Sequence, residues 1–366
     1  MKKLILPFLV ISFFICSLAK ANDKYPNLEG KIYMESRIGF VNDESVPDTY
    51  NNSATVNIEP NFSLNINEGW SIKTQWKLSP VEDRKIENYE IGNVFPSNNY
   101  PDNIDDYGLV IEELKGDYRG EDLNFFFGKY NPTFGEAWKK DKRIGIFTSD
   151  FTEDYELREK IGLGVAALLD DGAVTLNLFF NDTTGLSNSA INKRGKNNSS
   201  DNKAGNNNNL SSYSITISGN NFFDIEDLRY NFGYSDLDVE NQIGIDNQKG
   251  MVGGFEYLIP INYKTFIIPL IEIAKIDNFT GIEGKDILYS TTSLAITYSN
   301  WKAGVTGVVR DIKSNNFDDY TDSQIQYFIG YKFQNGINLD ATHMVVKENN
   351  QKAKIFGVGV SYLYEF

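Results

Sequence analysis

Residues 357–366 read GVGVSYLYEF and decide the fold class. Valine, tyrosine and phenylalanine occupy every second position of this stretch, namely Val358, Val360, Tyr362, Tyr364 and Phe366. Because successive side chains of a β-strand point to opposite faces of a sheet, the alternation predicts a strand with one apolar, aromatic face. Alternation alone is also found in half-buried strands of soluble sheets, so the rest of the chain has to separate the two classes.

The same period-two rhythm recurs along the whole sequence. Segments rich in aromatic or β-branched residues lie at 31–41, 54–66, 69–79, 107–118, 123–130, 159–170, 172–182, 210–220, 226–238, 248–259, 263–276, 286–299, 300–312, 321–334, 336–348 and 352–366. We therefore predict an all-β, transmembrane antiparallel β-barrel of about sixteen strands. Most segments are long enough to cross a hydrocarbon core at a tilt, and the count is even, as in single-chain bacterial barrels.

The connections between these segments fall into two kinds. Tight-turn sequences follow even-numbered segments, at 67–68, 119–121, 170–172, 299–301 and 334–336. Longer links follow odd-numbered segments, and the longest are 80–106, 131–158 and 183–209. Short turns on one rim and long loops on the other predict a barrel with a periplasmic and an extracellular end. The Asn-rich part of 183–209 is expected to be a mobile extracellular loop with nothing to pack against.

Composition agrees with a barrel that is wet inside. The chain holds 25 Phe and 21 Tyr, yet its mean hydropathy is −0.38. Plentiful aromatic residues in a polar chain are expected where lipid-facing and water-facing side chains alternate. No second apolar run of roughly twenty residues follows the first eighteen residues, so a helical membrane span is not predicted for the remainder.

The N-terminus has the features of an export signal. Lys2 and Lys3 precede an apolar run to Leu18, and the small residues around Ala21 resemble a cleavage site. We predict a cleaved signal peptide at 1–21 and a single barrel domain at 22–366. The only cysteine, Cys16, lies inside the signal, which excludes disulfide chemistry in the mature protein. The mature chain has 32 basic and 50 acidic residues, a net charge of −18, which argues against nucleic-acid binding.

Two motifs resemble known proteins. The last strand, ending on Phe366, resembles the C-terminal signal of bacterial outer-membrane proteins that the barrel assembly machinery reads. Residues 128–136, GKYNPTFGE, resemble the start of the third loop of Gram-negative porins. The resemblance implies a sixteen-stranded, outer-membrane, homotrimeric channel for passive diffusion of small hydrophilic solutes and ions, surrounded by outer-membrane lipid. It also implies that the third long loop folds into the lumen.

The candidate filter of such a channel is the third link, 131–158. Apolar residues such as Trp138 and Phe151 indicate that this link packs against something. Its acidic residues are candidates for the constriction: Glu136, Asp141, Asp150, Glu153, Asp154 and Glu156. If the apolar faces of the first and third segments meet lipid, four basic residues face the lumen opposite the loop: Lys31, Arg37, Lys73 and Lys77. The acidic loop predicts cation preference.

Other functions are less favoured by the residues. The chain has one histidine, His343, expected near the outer rim of its strand, and no serine follows it two residues later as in outer-membrane phospholipases. We predict no catalytic residues, no metal and no cofactor. Three alternatives stay open. They are an anion- or phosphate-selective porin, which the GKYNPTFG stretch also resembles, a non-channel adhesive or structural barrel, and a secreted soluble all-β protein.

Overall fold

The computed structural model describes residues 25–41, 53–80, 107–139, 151–191, 204–239, 244–349 and 351–366. The predicted signal at 1–21 and the predicted constriction residues Asp141 and Asp150 lie outside these ranges. The described residues form the following strands: β1 Asn27–Val41, β2 Ser53–Asn65, β3 Trp70–Pro80, β4 Tyr107–Arg119, β5 Leu123–Tyr130, β6 Lys160–Leu169, β7 Gly172–Asn181, β8 Ser212–Gly219, β9 Leu228–Leu237, β10 Gln248–Tyr257, β11 Ile259–Asn262, β12 Thr265–Asp277, β13 Lys285–Tyr298, β14 Trp301–Ser314, β15 Tyr320–Lys332, β16 Ile337–Glu348 and β17 Gln351–Glu365.

The strands close into one barrel. Each pairs antiparallel with its neighbours in the chain, and β1 pairs with β17 from Lys31↔Glu365 to Val41↔Ile355. Both β10 and β11 pair with β12, so they are two parts of one wall strand interrupted at Leu258. The wall therefore has sixteen strands, as the alternation predicts. Closure leaves no open sheet edge, which is the condition for a sheet to stand in lipid.

The two rims differ as the sequence predicts. Short connections follow the even-numbered strands of the first half, at 66–69 between β2 and β3 and at 120–122 between β4 and β5. Between β6 and β7 only Asp170 and Asp171 intervene. The same rim carries the two-residue turn Ser299–Asn300, where Ser299 takes a left-handed backbone conformation. The chain termini of the barrel, near Asn27 and Glu365, lie on this rim as well.

The outer face of the wall is apolar, and the inner face carries polar residues as well as buried apolar ones. In β13 the side chains of Leu294 and Ile296 are 50% and 46% exposed, whereas the alternating Thr291 and Ser293 are buried. In β12 the side chain of Ile271 is likewise exposed on the outer face. Exposed apolar side chains around a closed sheet form the surface that a hydrocarbon layer would cover.

Helical structure in the described residues is confined to four short 3-10 turns. None of them is long or apolar enough to span a membrane.

The link after β7 differs from its expectation. Ala204, Asn206 and Asn207 are buried, and the amide of Asn207 donates to Asp238 at 2.5 Å and to Ser211 at 2.7 Å. The prediction that the Asn-rich tract has nothing to pack against is therefore wrong for 204–207. Asparagine side chains supply both donors and acceptors, so they can satisfy buried backbone in an irregular segment where apolar residues cannot. Residues 192–203 of the link lie outside the described ranges.

Candidate functional site: the link between β5 and β6

A buried ion cluster fixes both roots of the link 131–158. The Lys129 ammonium, fully buried at the end of β5, lies 2.8 Å from Glu159 and 2.8 Å from Asp182, and it donates to the Leu186 carbonyl at 3.1 Å. The backbone N–H of Glu159 donates to the Asn131 side chain at 2.7 Å, which joins the two ends directly. A buried charge is tolerated when it is paired and hydrogen-bonded in this way.

The first arm of the link makes a tight turn at Gly135. Its φ of 67° lies in the left-handed region, which glycine adopts without steric cost. A Cβ there would meet the Tyr155 ring at 2.9 Å and the Glu272 carboxylate at 3.1 Å. The turn aims the backbone N–H groups of Glu136 and Ala137 at Glu272 on the inner face of β12, with bonds of 2.7 and 3.0 Å.

The second arm returns to the same carboxylate. The Tyr155 hydroxyl donates to Glu272 at 2.7 Å, so one buried glutamate binds both arms of the link. Burial raises the pKa of Tyr155 well above its ordinary value, and the adjacent Glu272 adds to the shift. The tyrosine therefore remains a hydrogen-bond donor at every physiological pH.

A second anchor lies on β14. Arg310 is fully buried on the inner face and contacts three carboxylates, namely Asp154 of the link at 2.9 Å, Asp322 of β15 at 2.9 Å and Glu348 at the end of β16. Its guanidinium also lies 4.0 Å from the centre of the Phe151 ring, a cation–π contact. Because arginine offers five donors in a fixed planar fork, it can hold all three acids at once.

Apolar packing supports the same two places. Phe134 packs between the arms and the inner wall in a cluster that contains Val252, Ile276 and Tyr289. Phe151 packs with Val308 in a second cluster, completed by Met344, Val346, Ala353 and Ile355. The prediction that the apolar residues of the link pack against something is thus confirmed for Phe134 and Phe151, and their partners are side chains of the inner face.

The predicted acidic residues have different surroundings. Glu136 pairs with Lys139 at 2.6 Å, and Glu153 pairs with Arg158 at 2.6 Å, both about a quarter exposed. Glu156 also contacts Arg158 and is almost buried. Three of the four described acids therefore pair within the link itself.

Asp154 alone among the four pairs with the wall. Burial raises its pKa to about 6, against the opposing effect of Arg310 and a hydrogen bond of 3.1 Å from Tyr289. The physical reason is that burial removes the carboxylate from water, which disfavours its charged form more than Arg310 favours it, and the neighbouring Glu153 adds a small upward effect. Protonation of Asp154 near pH 6 removes a net negative charge from this cluster.

The predicted basic residues lie on the face of β1 and β3 that the alternation assigns to them, and three are paired. Arg37 contacts Glu35 at 2.7 Å, Lys73 contacts Asp117, and Lys77 lies 3.4 Å from Glu112. Lys31 is exposed at the strand end, opposite Glu365 and Asn61 in register. The early wall is accordingly a set of ion pairs.

A β-bulge brings an extra carboxylate to this wall. The β3–β4 register shifts between Gln75↔Glu113 and Trp76↔Ile111, so Glu112 has no direct partner across the pair. The Gln75 amide donates to Glu112 at 2.9 Å, while Glu113 pairs with Lys115 on its own strand at 2.8 Å. Two consecutive glutamates thus contact inward-facing residues, which strict alternation forbids.

Glu112 also acts on the end of the link. Burial raises the pKa of Glu156, Arg158 lowers it, and Glu153 and Glu112 raise it further. Burial by itself would lower the pKa of Arg158, but the surrounding carboxylates, with Glu153 the largest contributor, hold it above its ordinary range. Residues 153–158 therefore share an electrostatic environment with the bulge on β4.

The sequence analysis did not identify the two wall residues that bind the link, Glu272 and Arg310. Glu272 had a visible signal, because it is the only charged residue among the ten of 265–274, TFIIPLIEIA. Arg310 had a weaker one, as a charge that alternation places on the inner face of β14. Neither signal shows that the residue contacts the link, since Tyr155 is 117 positions from Glu272 and Asp154 is 156 positions from Arg310.

His343 lies in the middle of β16, on the exposed face, with its ring 6.5 Å from that of Tyr327. The expectation that it lies near the outer rim is wrong, because β16 continues for five residues to Glu348. Among the residues that the structure covers, no cluster of three or more histidine, cysteine or acidic side chains is arranged to hold a metal ion.

Comparison with known proteins gives structural likeness only. No protein-family model matches the chain, and no curated protein matches its sequence. Among solved structures, OmpF of Salmonella typhi in complex with daunomycin is similar at 12% identity with a TM-score of 0.60, covering 92% of this chain and 97% of that one. OmpT of Vibrio cholerae, described as outer-membrane expressed, is similar at 12% identity and a TM-score of 0.57, covering 94% and 99%.

The outer membrane channel DcaP of Acinetobacter baumannii is similar as well, at 10% identity and a TM-score of 0.55, covering 93% of this chain and 96% of that one. Identities this low establish the shared fold and nothing finer. The chain has the closed sixteen-stranded architecture of outer-membrane porins.

Proposed function

We propose that this protein is a porin, a water-filled channel through which small hydrophilic solutes and ions diffuse passively. The observation that carries the proposal is the tethering of both arms of the 131–158 link to the inner wall, through Glu272 and Arg310. A link held inside a polar, closed barrel narrows the lumen without sealing it, and such a narrowing works as a size and charge filter. No bond-making chemistry is needed for this function, and we propose that the protein is not an enzyme.

The finer proposal is cation preference. The described part of the link carries Glu136, Glu153, Asp154 and Glu156 against Lys139 and Arg158, an excess of two negative charges, and the one on Asp154 is paired with Arg310 of the wall. The mature chain as a whole carries an excess of acidic residues, and a net negative field raises the local concentration of cations at both mouths. The paired bases on β1 and β3 do not offset this excess.

Location and assembly are part of the same proposal. The apolar outer face fits a lipid bilayer, and the similar structures OmpT and DcaP are described as outer-membrane expressed and as an outer membrane channel. We propose an outer-membrane location, export through a signal peptide cleaved after residue 21, and assembly guided by the strand that ends on Phe366. A trimer is proposed because one form of OmpT is described as a trimer.

A liposome-swelling series with neutral sugars of increasing size tests the channel. We expect swelling that slows with solute size and stops at a cut-off, because a fixed constriction sieves by diameter. Heat-modifiable migration on gels and outer-membrane fractionation are run on the same preparation to establish that the barrel is folded and located as proposed. A folded barrel in liposomes that do not swell with the smallest sugar would favour the adhesive or structural alternative.

A further inference from the structure

Three exposed lysines lie on the outer face of the β16–β17 hairpin, at the rim opposite the chain termini. Lys347 of β16 and Lys352 of β17 are directly opposite each other, and Lys354 lies two residues further from the turn, opposite Val345. This face is the outer one, since Phe356 on it is 46% exposed. Residues directly opposite in a ladder share a face, so the three side chains project from one place on the barrel. We call these three residues the lysine patch.

The charge of the patch is not balanced by acids on the same face of the two strands. The outer-face positions of 339–347 and 352–364 are apolar, aromatic or basic. Glu348, the acid next in sequence to the patch, is buried on the inner face. Among the residues that the structure describes, Lys347 and Lys354 contact no acid. The patch is therefore a local excess of positive charge on a chain that is acidic as a whole.

Other lysines on the outer face near this rim have an acid beside them. Lys275 contacts Asp277 at 2.7 Å, and Lys313 is directly opposite an aspartate of β13. The patch instead places two lysines directly opposite each other. Like charges in this arrangement destabilise a pair of strands, so the patch costs free energy in the isolated barrel. An anion bound at the patch would offset that cost.

The patch lies at the border of the apolar outer face. Phe356, two residues from Lys354, packs against Phe40 with ring centres 6.4 Å apart. On the adjacent strand β15, Ile325 and Tyr327 are about half exposed on the same face. Exposed apolar side chains of this kind are the surface that acyl chains cover. A lipid whose chains lie against them would hold its headgroup at the height of the lysines.

From this arrangement we infer that the lysine patch binds a lipid headgroup that carries two phosphates. Three ammonium groups on two adjacent strands exceed the charge of one phosphodiester, whereas two phosphate groups can accept hydrogen bonds from all three. A free phosphate offers the same chemistry but has no acyl chains to cover the apolar surface beside the patch. The inference rests on the proposed outer-membrane location and goes beyond the channel function, because it names a partner for the outer surface.

Two double variants with the same change in net charge isolate the patch. Lys347→Gln/Lys354→Gln removes two of its three charges. Both side chains are exposed and the substitution relieves repulsion at the patch, so the variant is expected to fold. Lys275→Gln/Lys313→Gln is the matched control, because it removes two outer-face lysines near the same rim that lie beside aspartates. Heat-modifiable migration on gels establishes that both variants and the wild type are folded.

Titration of the purified, folded barrel in non-ionic detergent with a diphosphorylated glucosamine lipid tests the inference. The other arms are the monophosphorylated form of that lipid, phosphatidylglycerol and inorganic pyrophosphate. One lysine near a lipid phosphate changes affinity by roughly fivefold, so the patch variant should bind the diphosphorylated lipid at least about tenfold more weakly than the wild type. The control variant should bind as the wild type does. The same lipid should raise the unfolding temperature of the wild type and the control, and not that of the patch variant.

The outcomes separate this inference from the channel itself. Equal affinity of the wild type and the patch variant, or an equal loss in the control, would overturn the inference. Phosphatidylglycerol binding as tightly as the diphosphorylated lipid would overturn it in favour of a general response to anionic lipid, and pyrophosphate binding as tightly would overturn it in favour of a free-anion site. None of these measurements requires conduction. A barrel that binds the lipid but passes no solute would overturn the channel proposal alone.

Discussion

Replacing Arg310 by glutamine is expected to release the second arm of the link and to destabilise the barrel. The substitution removes the guanidinium that contacts Asp154, Asp322 and Glu348, and it removes the cation–π contact with Phe151. Removing one partner of a buried ion pair costs about 3–5 kcal/mol. The carboxylates left without Arg310 can take up protons, which reduces the cost of burying their charge. We therefore expect the free energy of unfolding to decrease by about 3 kcal/mol at neutral pH.

Two assays follow the variant. Urea unfolding in detergent micelles, monitored by tryptophan fluorescence, gives the free energy of unfolding. Single-channel recording gives the conductance and its noise, both of which should rise when Asp154 and Phe151 lose their anchor. The control is Arg229→Gln, because Arg229 is 43% exposed and pairs with Glu256 at 2.8 Å. A half-exposed pair is worth at most about 1 kcal/mol.

A variant that also neutralises the buried acids on the wall separates the electrostatic cost of losing Arg310 from the loss of its contact with the link. In the variant Arg310→Gln/Asp322→Asn/Glu348→Gln the buried acids on the wall are gone, so most of the lost stability should return while the noisy conductance persists. If Arg310→Gln unfolds with the same free energy as the wild type and conducts without added noise, Arg310 does not anchor the link and the reasoning is refuted.

Three further substitutions test the first turn of the link, the titration of Asp154 and the role of Phe366 in assembly. Gly135→Ala should destabilise the folded protein by about 1–2 kcal/mol in the same urea assay, because φ is +67° and the new Cβ meets Tyr155. Equal stability of variant and wild type would show that a side chain does not strain this turn. The pKa of Asp154 is raised to about 6, so at pH 5 the folded state binds a proton that the unfolded state releases. Lowering the pH from 8 to 5 should therefore stabilise the wild type relative to Asp154→Asn by about 1 kcal/mol. A stability difference between the two proteins that does not depend on pH would contradict the raised pKa. Phe366→Ala should reduce the folded, heat-modifiable fraction of the protein in outer membranes. The reason is that the Phe366 ring packs over Gly30 and lies 6.2 Å from the Phe62 ring, where the barrel closes. An unchanged folded fraction would contradict a role for Phe366 in assembly.

Most of the wall could be predicted from alternation alone. The predicted segment 286–299 is observed as β13 at Lys285–Tyr298, and 107–118 as β4 at Tyr107–Arg119. Period-two patterning is strong here because the two faces of each strand have different surroundings, with apolar side chains exposed on the outer face. The interruption of the tenth wall strand was not predicted, although Pro260 lacks the backbone N–H that a regular ladder needs.

The site was predictable only in part. The acids and aromatic residues of the link identify it as a packed segment, and the motif around Gly135 gives its first turn. Alternation cannot give the contact of Asp154 with Arg310, because the two residues are 156 positions apart and their pairing depends on the conformation of the link, not of the strands. It also fails at Glu112, because a bulge shifts the facing of one residue without leaving a mark in the hydrophobic pattern.

Single-channel current through the purified protein in a planar bilayer, recorded across a potassium chloride gradient, is the decisive test of channel function. We expect steady, step-like currents with a reversal potential on the cation-preferring side. We also expect the charge reversal Glu153→Lys to move this potential toward the anion side. A folded barrel that inserts and carries no current would contradict the claim that this protein is a channel.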